Sequence, residues 1–250
     1  MSEILFDNGD FFENYKNIRT KKDSYNNLLE QPAIKKLLPS LTGKTVLDAG
    51  CGFGFSCVEF RNKGASKVVG IDISEKMVKA ASDNNEDKNL LFLKFDIDKI
   101  DELGMEFDLV YSSMTMHYLP DFTKVVGKVH NVLSKGGIFL FSQEHPLLTA
   151  PTAGVQWLKD ENGVKTSAVI SNYLQNGVRN VRWMDQDVTK QHRSLSTIIN
   201  TLIDNSFSIL NIIEPAPTEE VLKTAPHMYD ELLRPTAIII KAQKIVSEQV

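Results

Sequence analysis

The sequence predicts an α/β fold, a doubly wound and mostly parallel sheet of seven strands with helices on both faces. From Lys44 onward, short β-rich runs alternate with helical patterns, which is typical of a parallel sheet. Near-continuous apolar runs, KVVGIDI and GIFLFS, indicate strands that are buried on both faces. In chain order, the predicted strands are Thr45–Ala49, Lys67–Ile73, Leu90–Phe95, Asp108–Ser112, Ile138–Ser142, Ser208–Ile213 and Thr236–Ala242.

The segments between these strands have helical periodicity. Helices are predicted over Phe55–Lys63, Glu75–Asn84 and Phe122–Leu133, and the last has apolar residues at helical spacing along one face. Another amphipathic helix is predicted for residues 192–205. The first 43 residues are also expected to be helical, up to the first strand.

The regular alternation stops at Pro146, and residues 146–191 form a long insertion. A connection of this length is expected to carry structure or function of its own. The runs TSAVISNYL and GVRNVRW, joined at Asn176-Gly177, predict one hairpin. Ligands of open α/β sheets bind at the carboxyl ends of the strands, so the insertion is expected to be a lid there. A decorative hairpin or an oligomer contact is the alternative.

These segments are interpreted as one domain, residues 1–250. It is divided into a helical cap (1–43), a ligand-binding core (44–145), the lid (146–191), and a closing helix with two strands (192–250).

Composition excludes several classes of function. The chain has 28 Lys and Arg against 32 Asp and Glu, a net charge of −4, so no basic surface for nucleic acid is expected. Cys51 and Cys57 are too few for a disulfide framework, and no Cys or His spacing predicts a metal site. The N-terminus lacks a signal-peptide pattern, and no apolar run is long enough to span a membrane. A cytoplasmic protein is therefore expected, with its oligomeric state left open.

The strongest motif is VLDAGCGFG, residues 46–54. An apolar strand ends in Asp48, glycines follow at alternate positions, and a helix begins after them. Such a loop lets a ligand lie against the main chain, at the positive end of the helix. The spacing is GxGxG, whereas a dinucleotide loop of the GxGxxG type would require glycine at Phe55. Asp48 would repel a pyrophosphate and attract an ammonium group.

On these residues the chain resembles the class I S-adenosylmethionine-dependent methyltransferases. The later landmarks match in order: Asp72 in GIDIS, Asp96 in LKFDI, the segment FDLVYSSMTMHYL and the turn KGGIFLF. The whole chain also resembles a group of small uncharacterised bacterial methyltransferases through YNNLLEQPAIKKLLP, SSMTMHYL, SQEHP and HRSLST. The resemblance implies a Rossmann-like methyltransferase fold and S-adenosylmethionine as cofactor, with S-adenosylhomocysteine as product.

The resemblance also implies roles for individual residues. Asp72 would bind both ribose hydroxyls, and Asp96 would pair with the adenine amino group. Arg19, in a helix that would cover the cofactor, is a candidate for the methionine carboxylate or is an exposed helix arginine. The full implied cofactor-binding set is Arg19, Tyr25, Asp48, Gly50, Cys51, Gly52, Asp72, Ile73, Met77, Asp96, Ile97, Ser112 and His117.

Three histidines are candidates for a general base, which methyl transfer needs only if the acceptor arrives protonated. His117 follows the fourth strand, His145 ends the fifth, and His192 is placed at the start of the helix 192–205. An imidazole titrates near neutrality, which suits this role. Each could instead be a packing or helix-end residue.

The sequence therefore predicts methyl transfer from S-adenosylmethionine to an unidentified small molecule, mainly by positioning and desolvation. Trp157, Tyr173 and Trp183 in the lid could line the acceptor pocket or form a small core of the lid itself. An NAD-dependent oxidoreductase and a non-catalytic cofactor-binding protein are the alternatives.

Overall fold

The computed structural model describes residues 5–83 and 85–245. Within them seven strands form one sheet and four more form two separate hairpins. The strands are β1 (Thr45–Ala49), β2 (Lys67–Asp72), β3 (Leu90–Lys94), β4 (Phe107–Ser112), β5 (Leu133–Glu144), β6 (Gln156–Lys159), β7 (Lys165–Val169), β8 (Gly177–Trp183), β9 (Gln186–His192), β10 (Phe207–Ile213) and β11 (Ala237–Lys244).

Most helices begin at a capping side chain. Asn8, Ser74 and Ser194 each accept a hydrogen bond from the backbone N–H three residues later, which satisfies one free donor of the first turn. The helices are α1 (Gly9–Thr20), α2 (Gln31–Leu37), α3 (Phe55–Asn62), α4 (Glu75–Ser82), α5 (Phe122–Val132), α6 (Pro146–Thr149), α7 (Leu195–Asp204), α8 (Glu219–Thr224) and α9 (Asp230–Leu233). Short 3₁₀ turns cover Leu5–Asp7, Ile97–Leu103, Met116–Tyr118 and Pro226–Tyr229, and a π-helical turn covers Asn26–Glu30.

The predicted fold class is confirmed. The sheet order is β10-β11-β5-β4-β1-β2-β3, and the five strands from β5 to β3 pair in parallel. Strand β11 lies between β5 and β10 and is antiparallel to both. The carboxyl ends of β1 to β5 therefore meet at one edge, which is where the acids predicted at strand ends lie.

The sheet separates two apolar layers, because alternate side chains of a strand point to opposite faces. Leu47 and Phe139 face the layer that contains α5 and α7. Val46 and Leu140 face the layer that contains α2 and α3. Both faces are covered by helices, which explains the continuous apolar runs in the sequence.

Several predicted boundaries differ in the structure. Helix α7 begins at Leu195, after the cap Ser194, so His192 ends strand β9 and does not start a helix. Helix α4 ends at Ser82, and the predicted end at Asn84 lies outside the described residues, as do residues 1–4 and 246–250. No helix within residues 5–83 and 85–245 is long and apolar enough to cross a membrane.

The hairpin predicted in the lid is wrong, because its two strands pair with other partners. Strand β7 pairs with β6, and β8 pairs with β9 through a turn at Met184 and Asp185. Asn176, expected in the turn, instead binds the Ser194 N–H at 2.9 Å and the Thr197 hydroxyl at 2.9 Å. Its side chain therefore ties the lid to the start of α7.

Candidate cofactor-binding site

The glycine loop between β1 and α3 turns sharply at the carboxyl edge of the sheet. Gly50 and Gly54 have φ of +83° and +75°, a region that strains other residues. A Cβ on Gly54 would lie 2.6 Å from the Phe92 ring, whereas one on Gly52 would meet no atom within 4 Å. The open side of Gly52 leaves the main chain accessible to a ligand. Helix α3 starts without a side-chain cap, so its first N–H groups are also available.

Asp48 is a buried carboxylate at the end of β1. It is 2% exposed, and its Oδ2 accepts a hydrogen bond from the Cys57 thiol at 3.2 Å. Burial raises the pKa of Asp48 to about 7, an effect that the thiol only partly offsets. No salt bridge to this carboxylate is present among the described residues. A bound ammonium group would supply the missing positive charge.

A cavity of about 30 Å³ lies between the glycine loop and α1. It has room for roughly one or two water molecules. Five residues of the implied cofactor set line it together. They are Arg19, Asp48, Gly50, Cys51 and Gly52, joined by Tyr15, Phe53, Phe55, Ser56, Tyr111 and Ser113.

Asp72 ends β2 beside the glycine loop. Its Oδ2 accepts the Gly52 N–H and its Oδ1 accepts the Ser74 N–H, both at 2.9 Å. Burial raises its pKa, opposed by these two hydrogen bonds. Ser74 is the cap of α4, through the N–H of Met77, so Asp72 does not serve that function. The next residue, Ile73, is 47% exposed and offers apolar surface beside the carboxylate.

Asp96 follows β3 at the same edge. Its Oδ1 accepts the Asp98 N–H at 2.9 Å and caps the 3₁₀ turn Ile97–Leu103. Ile97 and Met77 are both buried. Ser112 is also buried and donates its hydroxyl to the Ala49 carbonyl at 2.6 Å, which ties β4 to β1. The neighbouring Ser113 lines the cavity instead.

His117 is buried near the ends of β4 and β5. Its Nδ1 accepts the Glu144 N–H at 3.3 Å, which places the ring proton on Nε2 in the neutral form. Burial lowers the pKa of His117 to about 4, so the ring is neutral at pH 7. In this state the ring can donate a hydrogen bond from Nε2 and cannot accept a proton there.

The structure does not support His145 or His192 as bases, because both rings use both nitrogens within the protein. His145 Nδ1 caps α6 through the Leu147 N–H at 3.0 Å, and its Nε2 lies 2.7 Å from Glu214 Oε1. His192 bonds the Thr149 hydroxyl at 2.8 Å and the Tyr173 carbonyl at 2.8 Å. These histidines hold the lid to the sheet.

Tyr25 also lies away from the cavity. Its ring packs with Leu29 and Met228, in a small apolar cluster against the C-terminal segment. Its predicted place in the cofactor set is therefore not supported.

Sequence reasoning did not connect the aromatic residues of α1 with those of the lid and the glycine loop. Tyr15 on α1 lies 6.0 Å from the Trp183 ring of β8 and 6.1 Å from the ring of Phe53. Phe11 contacts Trp183 at 5.4 Å. The sequence predicted a helix over the cofactor and named Trp183 as a candidate for the acceptor pocket, but spacing could not show that Trp183 packs on Tyr15.

Glu30 was also missed. It is fully buried in the π-helical turn and accepts hydrogen bonds from the Ser113 hydroxyl at 2.7 Å and from the Ser142 hydroxyl. It thereby links the N-terminal segment to the ends of β4 and β5. No pattern in the sequence indicates this contact.

The site suits S-adenosylmethionine by its own chemistry. Asp48 lacks a buried cation, Gly52 leaves the backbone open, and Asp72 presents a fixed carboxylate at the next strand end. No group of three or more metal-ligating side chains occurs within residues 5–83 and 85–245.

Comparisons with known proteins agree with this geometry. Residues 40–194 match the family model of a methyltransferase domain. An uncharacterised protein of Haemophilus influenzae is 34% identical, over 96% of this chain and 97% of its own length. An S-adenosylmethionine-dependent methyltransferase structure from Mesorhizobium loti is 36% identical, with a TM-score of 0.79 over 86% of this chain and 97% of the other. A tRNA U34 carboxymethyltransferase of Actinobacillus succinogenes is 27% identical, over 76% of this chain and 60% of its own length. The chain therefore belongs to the class I S-adenosylmethionine-dependent methyltransferases.

Proposed function

We propose that this methyltransferase acts on a small-molecule acceptor that enters beneath the lid, beside the aromatic cluster. The observation that carries the proposal is an aromatic cluster in which Trp183 of the lid packs on Phe11 and on Tyr15, and Tyr15 lines the cavity. Aromatic rings from a lid beside the cofactor site suit a compact acceptor, because they can pack on the acceptor and exclude water.

Each part of the cofactor has a proposed partner. The ammonium group pairs with Asp48, and the methionine carboxylate with Arg19, which lines the same cavity. The ribose hydroxyls bind Asp72, whose carboxylate is already oriented by two backbone N–H groups. The adenine lies between Ile73 and Asp96, with its amino group donating to the free oxygen of Asp96.

The proposed mechanism is an in-line displacement. The bound cofactor supplies a methyl group that is already activated as a sulfonium. The chain orients the two reactants and removes water around them. His117 is neutral at pH 7 and can donate a hydrogen bond from Nε2, so its proposed role is to position the acceptor.

A tRNA acceptor is the second candidate, because one relative is a tRNA U34 carboxymethyltransferase. The charge of the chain favours the small molecule. With a net charge of −4 the chain offers little attraction to a phosphate backbone.

A turnover assay separates the two candidates. The purified protein is incubated with S-adenosylmethionine and either the low-molecular-weight fraction or the total RNA of the source organism, and S-adenosylhomocysteine is measured. We expect product with the first fraction only, and none from an Asp72→Ala control. Product with RNA alone would refute the proposal.

A further inference from the structure

Arg234 is a buried cation that the function described so far does not use. It is 8% exposed, and its Nε lacks a hydrogen-bond partner. Among the described residues its side chain makes no salt bridge within 4 Å. Burial lowers its pKa, and the nearby carboxylates of Glu231, Asp230 and Glu144 oppose this effect only in part. Such a group in a native protein calls for an explanation, and an absent ligand is one.

The position of Arg234 relates it to the functional edge of the sheet. It lies three residues before Ala237, which pairs with Glu144 at the carboxyl end of β5. That end of β5 also carries the N–H that binds His117. Arg234 therefore sits above the edge at which the cofactor site is built.

Trp157 of the lid holds the guanidinium group. The Arg234 Cζ lies 4.9 Å from the centre of the Trp157 ring, and Lys165 Nζ lies 4.7 Å from the same ring. Stacking on an aromatic face leaves the edge of a guanidinium free, and that edge matches a carboxylate through two parallel hydrogen bonds.

The carboxylates near Arg234 form ion pairs or hydrogen bonds with other residues. Asp230 pairs with Lys165, and Glu144 pairs with Lys190. Glu231 accepts hydrogen bonds from the Thr236 N–H at 2.8 Å and the Thr236 hydroxyl at 2.7 Å. Arg234 is left without an ion-pair partner of its own.

A chain of contacts joins this position to the cofactor cavity. Lys190, the partner of Glu144, lies 5.4 Å from the Trp183 ring. Trp183 contacts Tyr15, which lines the cavity. A series of side-chain contacts through the lid therefore links the surroundings of Arg234 to the wall of the cavity.

We propose that Arg234, stacked on Trp157, binds a carboxylate group of the methyl acceptor. The proposal rests on the proposed small-molecule function and narrows it to anionic acceptors. The bound carboxylate would receive two hydrogen bonds from the guanidinium edge, while another part of the acceptor reaches the methyl group.

The test does not require the acceptor to be identified beforehand. The low-molecular-weight fraction that supports turnover is passed over an anion-exchange resin at neutral pH. The proposal expects the acceptor activity to be retained and then eluted with salt. Acceptor activity in the unretained fraction would overturn this inference and leave the small-molecule function standing, whereas activity with RNA alone would overturn that function itself.

Variants then connect the retained acceptor to Arg234. Loss of a charge-assisted pair predicts that Arg234→Met lowers transfer at limiting acceptor by at least about tenfold. Its affinity for S-adenosylhomocysteine should stay within about twofold, since Arg234 does not line the cofactor cavity. Arg182→Met is the matched control, because Arg182 is a cation of the lid whose side chain is 67% exposed. This control should transfer as the unmodified protein does.

If Arg234→Met does not fold, Arg234→Lys is the variant that tests the proposal. A lysine keeps the charge and loses the planar fork. The expected result is a raised KM for the eluted acceptor with kcat largely kept. A purely structural role of Arg234 would instead lower thermal stability and cofactor affinity together. That result, or unchanged transfer in both variants, would overturn the proposal.

Discussion

Asp48→Asn is expected to stabilise the ligand-free protein while it weakens cofactor binding. The carboxylate is 2% exposed, and its pKa rises from 3.8 to about 7 on folding. That is a shift of about 3 pKa units, and at 1.36 kcal/mol per unit it corresponds to about 4 kcal/mol. Above pH 7 the folded protein carries this full cost of an ionised, buried Asp48.

The sign of the pH dependence follows from the raised pKa. The favourable contribution of the protonated group is complete below pH 3.8 and is lost as the pH rises to about 7. Asparagine does not ionise, and its carbonyl can still accept the Cys57 thiol. The variant should therefore gain up to about 4 kcal/mol over the unmodified protein at alkaline pH and little at acid pH.

Folding favours the protonated form of Asp48, whereas cofactor binding should favour the ionised form, because the ammonium group of the cofactor attracts the carboxylate. The affinity of the unmodified protein for S-adenosylhomocysteine is expected to fall about tenfold for each pH unit below 7. The affinity of Asp48→Asn should be lower and nearly independent of pH in that range.

Urea unfolding and calorimetric titration across this pH range measure both effects. Asp187→Asn is the control. The Asp187 side chain is 89% exposed, so its replacement should change the pH dependence of neither the stability nor the cofactor affinity. The reasoning is refuted if Asp48→Asn is less stable at alkaline pH, or if it binds S-adenosylhomocysteine as tightly as the unmodified protein does.

Three further predictions concern the site and the lid. Asp72→Ala should weaken S-adenosylhomocysteine binding by more than about tenfold, through lost charge-assisted hydrogen bonds, with the fold intact by circular dichroism; an unchanged dissociation constant would remove Asp72 from the site. His117→Gln replaces a ring whose pKa is about 4 with an amide that can also donate and accept hydrogen bonds, so the pH–rate profile near neutrality should not change. If the variant lost a pH-dependent step of the rate near pH 7, His117 would be shown to titrate there. Replacing residues 147–190 by a short Gly-Ser linker should abolish transfer and keep S-adenosylhomocysteine binding within a few fold of the starting value, and retained turnover would exclude the lid as the acceptor site.

The strand-end acids could be predicted because their signals are local. Asp48 and Asp72 each end an apolar run, and the carboxyl ends of parallel strands meet at one edge. The alternation of strands and helices predicted the sheet in the same way, since burial on both faces leaves continuous apolar runs.

Strand pairing in the lid could not be predicted from the same kind of signal. Asn176-Gly177 is a strong turn pattern, but the Asn176 side chain binds the start of α7 instead. The actual turn at Met184 and Asp185 has no glycine, although both residues have positive φ. Short polar strands have weak register, so their partners depend on contacts with the rest of the fold.

The sequence by itself determined the fold class and the strand-end acids, because apolar periodicity and the glycine loop act over a few neighbouring residues, and the resemblance to a known family implied the cofactor. Only the tertiary structure decided which polar groups remain available to a ligand. His145 and His192 were equal candidates in the sequence, yet both are bonded to distant residues, Glu214 and Tyr173 among them. No sequence motif includes Arg234. It stands out only because its buried Nε has no hydrogen-bond partner among the described residues. Whether a polar group can bind a ligand depends on every group that packs near it, and those groups come from segments far apart in the chain.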